Sequence, residues 1–231
     1  MDGANERFKA NPTQWIADHL IVYNVGRGGA NPFGQGPGAV GTELSVHDFD
    51  LRKIGAIQTE GGTVAKEYEL RELTEGIDIG VLRKPTIATH TIRAYFLPWG
   101  TKSTYCGRLG VAAKYFFTPT LNGCTFAHSG AGPNPSVAHS NFVDQLSTIA
   151  DQGAMNADLA QKFGGLAPPN TLVRATYKRA PIGEEDYRAT VIGIRTGNTW
   201  NFYYQNYKYE SLGQNTQRHT GLGMQGLSVA I

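Results

Sequence analysis

The chain is short of charge, of cysteine and of long apolar runs. Asp, Glu, Lys and Arg make up 17% of its 231 residues, against a usual share of about 25%. The 21 basic and 19 acidic side chains leave a net charge of +2. Such a chain has no global field to hold nucleic acid or an anionic membrane, so neither is an expected partner. Its apolar stretches are broken within a few residues, and no membrane span is expected. The opening MDGANERFKANPTQW has no basic n-region and no apolar h-region, so no cleavable signal peptide is expected. Two cysteines, Cys106 and Cys124, are too few for a disulfide framework or a four-thiolate zinc site. A single disulfide between them stays open.

Glycine, by contrast, fills 29 positions, well above a usual share of about 7%. Eleven tyrosines and ten phenylalanines accompany it. Much glycine, many aromatic residues and few charges predict a turn-rich β protein rather than a helical bundle. A hydrophobic fraction of 40% is too high for a disordered chain. The length fits one substantial core. One domain over 1–231 is expected, with 1–85 as an N-terminal extension or recognition cap.

Along the chain, Thr13 to Tyr23 is a short helical candidate and 24–41 a glycine- and proline-rich loop without the GxxxxGK[ST] spacing of a phosphate cradle. KEYELRELTEGIDI (66–79) fits strand or helix equally. From Thr86 the pattern is clearer. TIATHTIRAYFLPW predicts a strand stopped by Pro98, and KYFFTPT (114–120) one interrupted by Pro119. CTFAHS (124–129) and SVAHSNF (136–142) predict two short strands about GAGPNP. Residues 144–163 form the best helical candidate, closed by Gly164 and Gly165. TLVRATYKRA (171–180) predicts a strand. YRATVIGIRT and TWNFYYQNYKY predict a hairpin about Gly197 and Asn198. The expected fold is α+β: a β-sandwich of mixed or antiparallel sheets with peripheral helices and long loops.

Residues 114–142 place a cysteine and two histidines around one turn. If GAGPNP closes an antiparallel hairpin symmetrically, Cys124 lies opposite His139 and Phe126 opposite Val137. Opposed residues have Cβ atoms about 4.5–5.5 Å apart on one face, close enough for a thiol–imidazole hydrogen bond. An imidazolium beside a thiol stabilises the attacking thiolate and then supplies a proton to the leaving group. His128 shares the face of Cys124 but is about 13 Å of strand away. Asn122 and Gly123 allow a sharp turn whose N–H groups could meet an oxyanion. Thr118 is the nearest upstream group to orient the histidine. His90, His128, His139 and Cys124 lack ligand spacings such as CxxC or HxxxH, so neither metal nor other cofactor is expected. The aromatic run about Trp200 and Tyr204 reads as sheet packing, or else as the contact surface of a non-catalytic binding module.

LPW (97–99), FFT (116–118), LNGC (121–124), the glycine-rich turn with its histidine, and VIGIRTG (191–197) together resemble the Burkholderia lethal factor family. That family is related to the catalytic domain of the cytotoxic necrotizing factors. The resemblance spans roughly 90–210. Asn122 stands where the LSGC-type motif of these glutamine deamidases has serine. The resemblance implies Cys124 as nucleophile, His139 as acid/base and Thr118 as third member. It also implies a monomeric toxin-like deamidase without cofactor, secreted or injected. Such an effector acts in a target cell's cytosol on a protein substrate, an initiation-factor helicase or a Rho-family GTPase, and thioester transfer to an amine would give transglutaminase activity.

Overall fold

The computed structural model describes residues 3–23, 38–59, 62–73, 90–142, 150–164, 170–177, 186–211 and 217–227. In chain order the elements are α1 Ala4–Ala10, α2 Pro12–Asp18, β1 His19–Val22, β2 Val46–Thr59, β3 Val64–Glu72, β4 Ile92–Phe96, β5 Ser103–Arg108 and β6 Tyr115–Phe117. They continue with β7 Thr125–His128, β8 Ser136–Asn141, α3 Gln152–Lys162, β9 Asn170–Leu172, α4 Arg174–Tyr177, β10 Asp186–Thr196, β11 Thr199–Ser211 and β12 Gln217–Leu227.

Two sheets carry the fold. An eight-stranded mixed sheet runs β1-β3-β2-β12-β11-β10-β6-β4, and β4 also pairs with β2, so the order returns on itself. A four-stranded antiparallel sheet runs β5-β8-β7-β9. Alternation along the strands assigns their faces. Tyr115, Phe117, Ile192 and Ile194 turn to one side of the large sheet, where Phe8 and Trp15 of the N-terminal helices cover them. Phe116, Val191, Phe202 and Trp200 turn to the other, against Phe126, Val137 and Leu172 of the small sheet. The ring centroids of Phe116 and Phe202 lie 5.8 and 5.7 Å from that of Phe126. The small sheet's outer face, Cys106, Ala127 and Ala138, is covered by Leu159 of α3. The result is a β-rich α+β sandwich with helices on both outer faces.

Several expectations are corrected. The helix expected from Thr13 to Tyr23 ends at Asp18, and His19–Val22 instead pairs in parallel with β3. Gln205 fixes that switch by accepting from Ile21 N and donating to the carbonyls of Ile16 and His19. The ambiguous segment from Lys66 is strand to Glu72, with 74–79 outside the described residues. Strand 171–180 is only β9, followed by a helical turn. The third helix begins at Gln152, capped by Asp151, whose Oδ1 accepts from Ala154 N at 2.9 Å; residues 144–149 lie outside the described residues, as does most of the 24–41 loop. Residues 19–23 and 46–72 contribute strands to the same sheet as β10–β12. The Gly197–Asn198 hairpin forms as expected.

Candidate active site

The site lies at one end of the interface between the sheets. Thr118 follows β6 of the large sheet; Cys124 precedes β7 of the small sheet, and His139 sits in the middle of β8. Thr118 and His139 are fully buried, and they meet across the sandwich. Thr118 Oγ1 lies 3.0 Å from Leu97 O and 2.8 Å from His139 Nδ1.

A threonine hydroxyl has one proton, and a carbonyl oxygen can only accept. Oγ1 therefore donates to Leu97 O and accepts from Nδ1–H. That assignment fixes the neutral imidazole as its Nδ1–H tautomer, with the lone pair on Nε2. Nε2 is buried and has no hydrogen-bond partner among the described residues. Burial pushes the histidine down to about 3. At neutral pH the ring is uncharged, unlike the resting imidazolium expected from the sequence.

The hairpin register is also corrected. His139 lies opposite Phe126, and His128 opposite Val137, with Ser129 N donating to Ser136 O to close the loop. The symmetric closure would have drawn Pro135 into the ladder opposite His128. Proline has no N–H to donate there, and Pro135 instead lies outside the ladder, its carbonyl accepting from Leu109 N. The offset is two residues, so side chains keep their faces. Cys124 and His139 therefore share a face as diagonal neighbours, typically about 7–8 Å apart at Cα. The thiol makes no hydrogen bond to Nε2 at rest. Cys124 is 5% exposed.

Tyr177, in the helical turn that replaces the expected strand, holds the backbone about Cys124. Its Oη accepts from Gly123 N at 2.8 Å and donates to Cys124 O at 2.9 Å. The Gly123 N–H, one of the expected oxyanion donors, is thus already engaged. Gly123 has φ +96, the left-handed region that favours glycine. Asn122 is exposed on the same turn. No local pattern points to Tyr177: it lies 53 residues beyond Cys124 in sequence, and only the tertiary fold brings it near.

Trp99, just after β4, stacks on His139 with ring centroids 6.5 Å apart and planes 24° apart. Tyr105 of β5 lies opposite His139 in the ladder, and a cleft of about 190 Å³ lined by Leu97, Pro98, Tyr105 and Cys106 includes neither Cys124 nor His139 in its walls. His128 is a packing residue. It lies 4.4 Å, centroid to centroid, from Phe202, and Nδ1 meets Gly130 O at 3.0 Å. Cys106 faces the opposite side of the small sheet and donates to Gly38 O; the two cysteines are not joined in a disulfide. His90 lies apart, beside Glu6 at 3.4 Å. Trp200 and Tyr204, which a binding-module reading needs at the surface, are buried at 0% and 4% exposure.

Among the described residues no helix is long and apolar enough to cross a membrane. No family model and no curated protein matches the chain. Among solved structures, the C-terminal domain of CNFy from Yersinia pseudotuberculosis is similar at 12% identity and a TM-score of 0.34, over 85% of this chain and 93% of that one. A likeness at that score carries neither fold nor function, and the chemistry rests on the geometry above.

Proposed function

We propose that the chain is a cysteine hydrolase that converts the side-chain carboxamide of a glutamine in a target protein to a carboxylate. The observation that carries this reading is the Thr118–His139 pair, which leaves a buried, unpartnered Nε2 on the sheet face shared with Cys124. Nε2 takes the Sγ–H proton as sulfur bonds to the amide carbon and the carbonyl pair moves onto oxygen. The same nitrogen gives that proton to the departing nitrogen; the C–N bond breaks, ammonia leaves and a thioester remains. Water then gives a proton to Nε2 while its oxygen attacks the thioester, the C–S bond breaks, and sulfur recovers the proton. Thr118 Oγ1 accepts from Nδ1–H throughout, so the ring need not turn between steps. With Cys124 at 5% exposure, the sulfur has to be uncovered before a glutamine side chain reaches it. An amine in place of water gives transglutamination.

The resemblance of the 90–210 span supports an initiation-factor helicase or a Rho-family GTPase as substrate, reached in the cytosol of a target cell by a secreted or injected effector. Peptide mapping of such a target after incubation tests the reading. One glutamine is expected to gain about 1 Da with release of ammonia, and Cys124→Ser and His139→Ala to abolish the gain. Backbone cleavage, or undiminished conversion by Cys124→Ser, would overturn it.

A further inference from the structure

Two buried polar atoms beside the dyad lack partners, and they are of opposite kinds. His139 Nε2 is an acceptor in the tautomer that Thr118 imposes, and Trp99 Nε1–H is a donor; neither has a hydrogen-bond partner among the described residues. Their rings stand nearly parallel, 24° apart, with centroids separated by 6.5 Å. A buried N–H without an acceptor is costly, on the order of 1–3 kcal/mol, and persists where something else supplies the partner. Trp15 Nε1, His19 Nδ1, Trp200 Nε1 and His128 Nε2 also go unpaired, but it is Trp99 that stacks on His139, the ring whose tautomer Thr118 sets.

A primary carboxamide is planar, with an acceptor oxygen on one arm and a donor nitrogen on the other. We propose that Trp99 and His139 together form the carboxamide seat of the encounter complex, the amide oxygen accepting from Trp99 Nε1–H and the amide nitrogen donating to His139 Nε2 until the thiol's proton takes its place there. This rests on the glutamine deamidase reading and deepens it. The engaged Gly123 N–H leaves the substrate oxygen in need of another donor, and Trp99 supplies one. The seat also tells substrate from product. A carboxylate has no N–H to offer, so one of its oxygens faces the Nε2 lone pair without a proton between them, and glutamate is expelled once formed.

The test uses alkylation of Cys124, which needs no target protein. N-acetylglutamine methylamide is expected to slow iodoacetamide labelling of the wild-type thiol at pH 7.5 with at least about tenfold tighter half-protection than N-acetylglutamate, the factor that one neutral hydrogen bond supplies. In Trp99→Phe, which keeps the ring but not the N–H, half-protection by N-acetylglutamine methylamide is expected to weaken about fivefold or more. Equal protection by the amide and the acid in the wild type would overturn the seat without any variant. So would undiminished protection by the amide in Trp99→Phe. Failure of the deamidase reading is distinguishable, because it appears as a Cys124 labelling rate unchanged by His139→Ala.

Discussion

Thr118 decides which nitrogen of His139 carries the proton. Its single proton goes to Leu97 O, so Nδ1 must carry a hydrogen and Nε2 cannot. Thr118→Val keeps the shape and removes the oxygen, leaving two buried polar groups unsatisfied at a cost of about 1–3 kcal/mol. The two tautomers then compete, and Cys124 alkylation at pH 7.5 is expected to slow about twofold or more, because a ring with its proton on Nε2 cannot take the thiol's. Thr118→Ser, which keeps the hydroxyl, is expected to restore most of the rate. A Val variant that loses stability but alkylates at the wild-type rate would make Thr118 a packing residue.

At the scale of elements, the turn into β7 is the part under conformational constraint. Gly123 has φ +96, and a Cβ there would meet the Ala150 Cβ at 3.2 Å. Gly123→Ala is expected to cost about 1–3 kcal/mol in urea unfolding through the left-handed backbone. Ala150→Gly in the same chain relieves the contact but not the φ, so it is expected to recover less than half of the loss. Recovery of the whole would show that crowding, rather than backbone conformation, sets the cost. This turn marks where legibility in the sequence ends. The β10–β11 hairpin is readable because two aromatic and β-branched runs are joined by a two-residue turn that fixes their register. The Cys124–His139 face is readable for a weaker reason, since side chains alternate and a two-residue offset leaves the face unchanged. Their exact opposition was not readable, because a six-residue loop admits several closures and the exclusion of Pro135 from the ladder selects one. Tyr177 and Trp99 act through contacts across the fold that no local period encodes. The charged β2 strand escapes for a related reason: Phe49 and Leu51 face the helices, but an irregularity between Lys53 and Gly55 sends Ile57 into a different cluster and interrupts the alternation.

For the molecule as a whole, both histidines in the sheet interface are held uncharged by burial, His139 down to about 3 and His128 below its ordinary value. The consequences for stability and for chemistry run in opposite directions. The unfolded chain binds protons on these rings below about pH 6.5 and the fold does not, so stability is full above that value and falls as pH drops towards 3. Between pH 7.5 and 5.5, His139 alone accounts for a loss of about 1.4 kcal/mol. His139→Gln removes that proton from the balance, and the loss in urea-unfolding free energy over the same interval is expected to shrink by about 1 kcal/mol. An unchanged loss would mean that the ring titrates in the fold as it does in water. For the proposed chemistry the dependence differs, because a ring that stays unprotonated keeps its Nε2 lone pair on the acid side. Over the pH range in which the fold remains intact, glutamine turnover is therefore expected to lack the acid limb near 6.5 that an ordinary histidine base imposes. On the proposed reading, acid is expected to end turnover by unfolding the sandwich rather than by protonating Nε2. Measuring turnover and unfolding on the same samples at half-unit steps separates the two, since a rate that falls about tenfold by pH 5.5 while the protein remains folded would place a titrating histidine at the site and contradict its burial.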